Sequence, residues 1–415
     1  MTGDDRPMRE LDRPRIRYAA MTIALIAPLL YANDGDPYRA YEVALIGMLL
    51  LLIAVTCNDS FTFRRAPGNT WIALIVLYVA VQPLFGAGDA VFNVKYALAL
   101  LMAFAPLFAL QALGPYGPQG RRYCDRVLRM IFWLMATSIV VSYATGAGEV
   151  FEGASLLQRR AFGWLGDSIG PAFVFFAFYF MFARRRIGLA VALLCLLLMQ
   201  AKMSILMLLL GLLVLFLLRQ RRNKLVVGSG LAFALLVAYS SPLWFGWLAK
   251  VAINNLDYSI NNRLLSFAAG LLYFQKAPVF GVGVDQTTAL LFNEFDLRSL
   301  ASFSEGTVYY EVLQIQNTFI RTAAELGIVG LILLVGLCVA ILREAFRVLM
   351  LETALPYRAI APLAAASALW LVTFIVFHQT TGWFQTGHPQ LAWLVVIWAL
   401  MTCVRHELDV RTVLD

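Results

Sequence analysis

Residues 184–224 read RRR-IGLAVALLCLLLMQA-K-MSILMLLLGLLVLFLL-RQRRNK, and they decide the fold. Between Arg186 and Arg219 the single charge is Lys202. A bilayer core takes roughly 20 apolar helical residues per crossing, so this run is too long for one pass and long enough for two. Basic clusters stand at both of its ends, and cytoplasmic loops are where Lys and Arg accumulate. The chain therefore crosses outward, turns near Lys202 and returns, giving spans at 187–201 and 203–218.

The rest of the sequence repeats that pattern. Of 415 residues, 61% are hydrophobic and 14% charged, too little polar surface to cover a soluble globule of this size. Backbone facing lipid must satisfy its own hydrogen bonds, which predicts helices, and no alternating barrel pattern is present. Six apolar runs precede the pair, at 16–32, 41–56, 69–85, 94–113, 127–145 and 169–182. Four follow it, at 225–239, 318–341, 359–377 and 391–404. The expected fold class is all-α: a polytopic membrane protein of about 12 transmembrane helices, residues 1–415 forming a single integral membrane domain. The N-terminal segment is charged and has no cleavable small-residue site, so the first span is read as retained.

Charge fixes the orientation. With both termini in the cytoplasm, 23 of the 33 basic residues fall on the inner side, among them Arg121, Arg122, Arg184 to Arg186 and Arg219. The inner side then holds 23 basic and 11 acidic residues, and the outer side 10 and 14. The net charge of +8 thus reflects topology rather than affinity for nucleic acid. Cys57, Cys124 and Cys403 fall at the inner side and Cys195 and Cys338 within spans, so no outward pair is expected to form a disulfide.

Against an acidic exterior, the outward cations need a reason. They are Arg39, Lys95, Arg159, Arg160, Lys202, Lys250, Arg263, Lys276, Arg298 and Arg321. Two outward segments are longer than a simple connection requires, 146–168 and 240–316, and such excess signals function. In the longer one, Asn262 is placed to N-cap a helix running to about Gln275, with Leu264, Phe267, Ala268 and Leu271 as its apolar stripe. Arg263, Ser266 and Gly270 fall on another face. Gly281-Val-Gly283 then makes a backbone-permissive turn, and a second helical stretch is expected near 287–302. Glu325, costly inside a span unless paired, has Arg321 four residues earlier.

The stretch NRLLSFAAGLLYFQKAPVFGVG at 262–283 resembles the signature of the bacterial O-antigen ligase and polymerase family. There an Arg-Leu opens an outward helix, followed by Phe, Pro, Gly-x-Gly and a His-Asn pair at the start of the next span. Here Gln316-Asn317 occupies that place, and Glu325-Leu-Gly-Ile-Val-Gly330 resembles the family's ending. Upstream, Arg160-Ala-Phe-Gly163 resembles the family's other arginine-bearing loop, and Gln200-Ala-Lys202-Met-Ser204 its short turn.

The resemblance implies a membrane-embedded transferase of the bacterial inner membrane, working at the periplasmic face without metal or cofactor. It would take a glycan from an undecaprenyl-pyrophosphate carrier and pass it to a hydroxyl of a glycan or lipid-linked acceptor. Membrane lipids surround it, and a chain-length regulator is a further candidate partner. The segments 240–316 and 146–168 become its periplasmic loops, the first helical and lying between spans 9 and 10. Arginine is always charged and forked for bidentate phosphate contact. Arg160 and Arg263 are accordingly the leading pyrophosphate ligands, with Arg159, Lys202, Ser266, Gly281 and Gly283 as further substrate contacts.

Where family ligases carry His, this chain has Gln316, which takes no proton at neutral pH. Base candidates are then Glu305, Glu311 or His388; alternatively, Gln316 with Asn317 orients the acceptor hydroxyl and the good leaving group carries the reaction. The polymerase branch varies more at this position, which ranks a polymerase of O-antigen or exopolysaccharide repeat units ahead of a ligase acting on lipid A-core. A lipid-linked glycan flippase shares the span count. Ion-coupled carriers, however, place ionisable groups near mid-membrane, and here those groups lie near span ends.

Overall fold

A computed structural model describes residues 9–30, 39–57, 67–85, 90–113, 117–145, 169–199, 201–219, 258–287, 315, 317–354, 362–377 and 389–414. Among the described residues there are helices and turns and no strand. The helices are α1 (Arg9–Leu30), α2 (Arg39–Cys57), α3 (Pro67–Val81), α4 (Ala90–Ala103), α5 (Ala105–Leu113), α6 (Gly117–Thr145) and α7 (Gly170–Phe182). Then come α8 (Arg186–Leu198), α9 (Lys202–Arg219), α10 (Tyr258–Lys276), α11 (Thr318–Ala354), α12 (Pro362–Phe377) and α13 (Pro389–Leu414). A 3-10 turn, Gln82–Leu84, continues α3.

Eleven of the twelve predicted apolar runs coincide with these helices; the ninth, 225–239, lies outside the described residues. The run at 184–224 does divide beside Lys202, where α9 begins. Three stretches, Val94–Ala112, Gln119–Thr145 and Thr318–Leu351, are long and apolar enough to cross a membrane, and eight shorter apolar helices accompany them. The chain is an all-α polytopic membrane protein.

Several boundaries differ from hydropathy, for one reason. Helix α1 begins at Arg9 and α6 at Gly117, and α11 and α13 run on to Ala354 and Leu414, all extending into arginine-bearing sequence. Arginine is a good helix former, so the helix outlasts the apolar run. In α6 the extension is laced by Arg129 Nη2 and Asp125 Oδ2 at 2.7 Å. The run at 94–113 breaks between α4 and α5, where Phe104 N donates to Leu101 O at 3.2 Å and Leu107 N to Phe104 O at 3.0 Å. Pro106 lacks the N–H for Met102 O and its ring crowds that carbonyl.

The centre of the bundle is residues 170–180 of α7, 363–376 of α12 and 390–403 of α13, which are buried on every side. Helices that are apolar all round belong in an interior. Two of their indole donors are satisfied inside the bundle: Trp370 Nε1 donates to Pro171 O at 2.6 Å and Trp398 Nε1 to Asn69 Oδ1 at 3.2 Å. Peripheral helices turn Leu45, Leu49 and Leu52, or Leu209, Leu213 and Phe216, outward, as lipid requires.

Helix α10 corrects two expectations. It starts at Tyr258, so Asn262 is an interior residue and not its N-cap. The packed face is Ser266, Ala269, Gly270 and Tyr273, whereas Phe267 and Leu271 are exposed. Small residues, Ser266, Ala269 and Gly270, permit the close approach of α11, and the larger Phe267 and Leu271 face out.

Candidate functional site

Helices α10 and α11 lie against each other along a seam. Opposite Gly270, which has no side chain, are Ile320 and Ile315. Ala269, Tyr273, Val282, Ile315 and Ala324 form a small buried cluster there. Ser266 is 1% exposed on the same face, so as packed its hydroxyl belongs to the seam.

The seam closes through a break in α11. At Gly327 the backbone takes φ 67°, ψ −167°, a region open to glycine alone. Ala324 O and Ile328 N would pair in an unbroken helix. Instead Ala324 O accepts from Val282 N at 2.9 Å, and Ile328 N donates to Pro278 O at 2.8 Å. Glu325 O accepts from Gly283 N at 2.9 Å, and Leu326 O from Tyr78 Oη at 2.6 Å. Gln82 Nε2 adds a bond to Phe280 O at 3.2 Å. The polar backbone exposed by the break is thereby recovered from a neighbouring loop and from α3, as irregular backbone at membrane depth requires.

This pairing explains the glycines. Gly281 has φ +76°, and a Cβ there would meet the backbone of Glu325 and Leu326; a Cβ at Gly327 would meet the backbone of Val279. The amides of the Gly281-Val-Gly283 turn are already engaged, Gly281 N with Ala277 O and Gly283 N with Glu325 O. A phosphate would receive no amide from either glycine.

Beneath the turn lies a buried charge cluster. Arg321 is 2% exposed, and its Nε donates to Glu325 Oε1 at 2.9 Å, the i,i+4 pair expected from the sequence. Its Nη2 also reaches Asp285 Oδ1 in the loop, and Thr287 Oγ1 donates to Glu325 Oε1 at 2.6 Å. Among the described residues Arg321 Nη1 has no hydrogen-bond partner. Asp285 sits at φ +58°, a left-handed conformation that Asp tolerates better than most residues. Asp285, Thr287, Tyr78 and Gln82 were not singled out from the sequence. They lie 36 or more residues from their partners, and only Asp285's nearness to Gly281-Val-Gly283 hinted at a role.

The predicted site residues divide unevenly over this frame. Asn317 stands at the head of α11, its Oδ1 accepting from Phe319 N at 3.0 Å and Ile320 N at 3.1 Å, an N-cap. Arg263 lies on α10 one turn before Ser266. Lys202 is the first residue of α9. Arg159, Arg160, Glu305, Glu311, Gln316 and His388 lie outside the described residues, as do the loop at 146–168 and most of the stretch at 287–302.

Compared with known families, residues 187–335 match the model for O-antigen ligase. No curated protein matches the chain. The matched region runs from α8 through α10, the Gly281–Gly283 turn and the break at Gly327.

Proposed function

On the premise that residues 187–335 are an O-antigen ligase domain, which supports an O-antigen ligase/polymerase-type glycosyltransferase acting on lipid-linked glycans in a membrane, we propose that the chain polymerises repeat units. The donor is an undecaprenyl-pyrophosphate-linked oligosaccharide, and transfer takes place at the periplasmic face of the inner membrane. The carrying observation is the seam: within the matched segment it joins α10, bearing Arg263, to the head of α11, bearing Asn317.

The chemistry follows from the leaving group. An acceptor hydroxyl attacks the anomeric carbon of the donor sugar, and the bond from that carbon to the pyrophosphate oxygen breaks with its electron pair going to the phosphate. Arg160 and Arg263, with Lys202, hold the pyrophosphate and offset the charge that develops on it. Gln316 and Asn317 orient the acceptor hydroxyl, whose proton leaves to solvent or to a nearby carboxylate such as Glu311. Gln316 in place of the His that family ligases carry supports a polymerase over a ligase, because the polymerase branch varies more at this position.

Deletion distinguishes the readings on a gel of surface polysaccharide. Loss of a polymerase leaves acceptors bearing one repeat unit; loss of a ligase leaves acceptors bearing none. Loss of a flippase instead leaves lipid-linked repeats facing the cytoplasm.

A further inference from the structure

The loop between α10 and α11 is tied to α11 by backbone hydrogen bonds and by one side-chain connection between charges. Arg321 has two anchors of different kinds. Its bond to Glu325 stays within α11 and tethers nothing; its bond to Asp285 crosses from helix to loop. Thr287 makes a second crossing, to Glu325 Oε1 at 2.6 Å. Both crossings leave from the residues just after the Gly281-Val-Gly283 turn, and they end at Arg321 and Glu325, on the stretch of α11 leading into the break at Gly327.

We propose that the Arg321–Asp285–Glu325–Thr287 cluster is a positioning device: it locks the loop onto the broken turn of α11 and so sets α10, with Arg263, in register with Asn317. This rests on the transferase reading above. A planar guanidinium bridges two carboxylates in fixed directions, which a single ammonium cannot do. Arg321 and Glu325 are almost fully buried, so water does not screen the connection. The charge link adds a side-chain constraint to the register that the backbone pairs set. A misplacement of about 1 Å at a reacting centre costs on the order of 100-fold in rate, so the effect belongs in turnover rather than in donor KM.

The test uses the full-length chain in detergent or liposomes with the lipid-linked donor. Asp285→Ala removes the crossing and leaves the Arg321–Glu325 pair, and Asp285→Asn is the milder variant should the first not accumulate. Turnover is expected to fall by about 10-fold or more, with donor KM within about threefold. A second readout does not involve transfer: Val282→Cys in a chain whose native cysteines are replaced. Val282 is 4% exposed inside the seam, so the thiol reacts slowly with maleimide. Adding Asp285→Ala raises that rate by about 10-fold or more, because opening the seam exposes the thiol.

Unchanged labelling overturns the proposal, and so does faster labelling with unchanged turnover. Arg263→Ala is the control. Full transfer by that variant overturns the functional reading and this inference with it; loss there beside full activity in Asp285→Ala overturns this inference alone.

Discussion

At the scale of single residues, the seam is held by positions that admit almost no substitution. Gly281 and Gly327 combine a left-handed backbone with contact against another segment's backbone. An alanine at either place adds conformational strain of about 1–2 kcal/mol to a collision that only backbone movement relieves. Gly281→Ala and Gly327→Ala are each expected to lower the denaturation midpoint of the purified protein. An unchanged midpoint in both Gly281→Ala and Gly327→Ala would contradict the seam. Arg321→Ala leaves two carboxylates without their cation and should cost about 3–5 kcal/mol, read by the same unfolding measurement. The glycines and the Arg321–Glu325 pair were visible in the sequence because each is local. Asp285, Tyr78 and Gln82 were not, because their partners are brought to them only by the folded bundle.

Elements show where hydropathy is a sufficient guide and where it is not. Spans could be located because lipid imposes length and apolarity on each crossing. The breaks at Phe104 and Gly327 could not, because they depend on a proline's missing donor and on a loop able to take over helix hydrogen bonds. The face of α10 was misread for a related reason: small residues make its contact with α11, and the stripe that looks like a core face is the one left exposed. Asn317 is a sharper case. Its cap of α11 is plain in the structure, so Asn317→Ala should cost about 0.5–2 kcal/mol in stability, whereas Asn317→Asp keeps an acceptor oxygen and should hold the midpoint. If the amide also orients the acceptor hydroxyl, Asn317→Asp loses transfer at wild-type stability. Transfer that follows stability in both variants assigns Asn317 to the cap alone.

For the whole molecule, α7, α12 and α13 form the buried centre, and the O-antigen ligase match lies outside these three helices, from α8 to Val335 in α11. The sequence carried the class of the molecule because composition and charge asymmetry are global quantities that no single contact decides. It carried the candidate site only as an order of motifs along the chain, and the structure supplies the physical link between two of them. The central claim is that outward arginines hold a lipid pyrophosphate while repeat units are joined. Its most direct test is the surface polysaccharide of cells whose chromosomal copy carries Arg160→Ala or Arg263→Ala, with protein level in the membrane measured alongside. Acceptors bearing a single repeat unit, at normal protein level, are the predicted result; a wild-type ladder of chain lengths in both variants would contradict it.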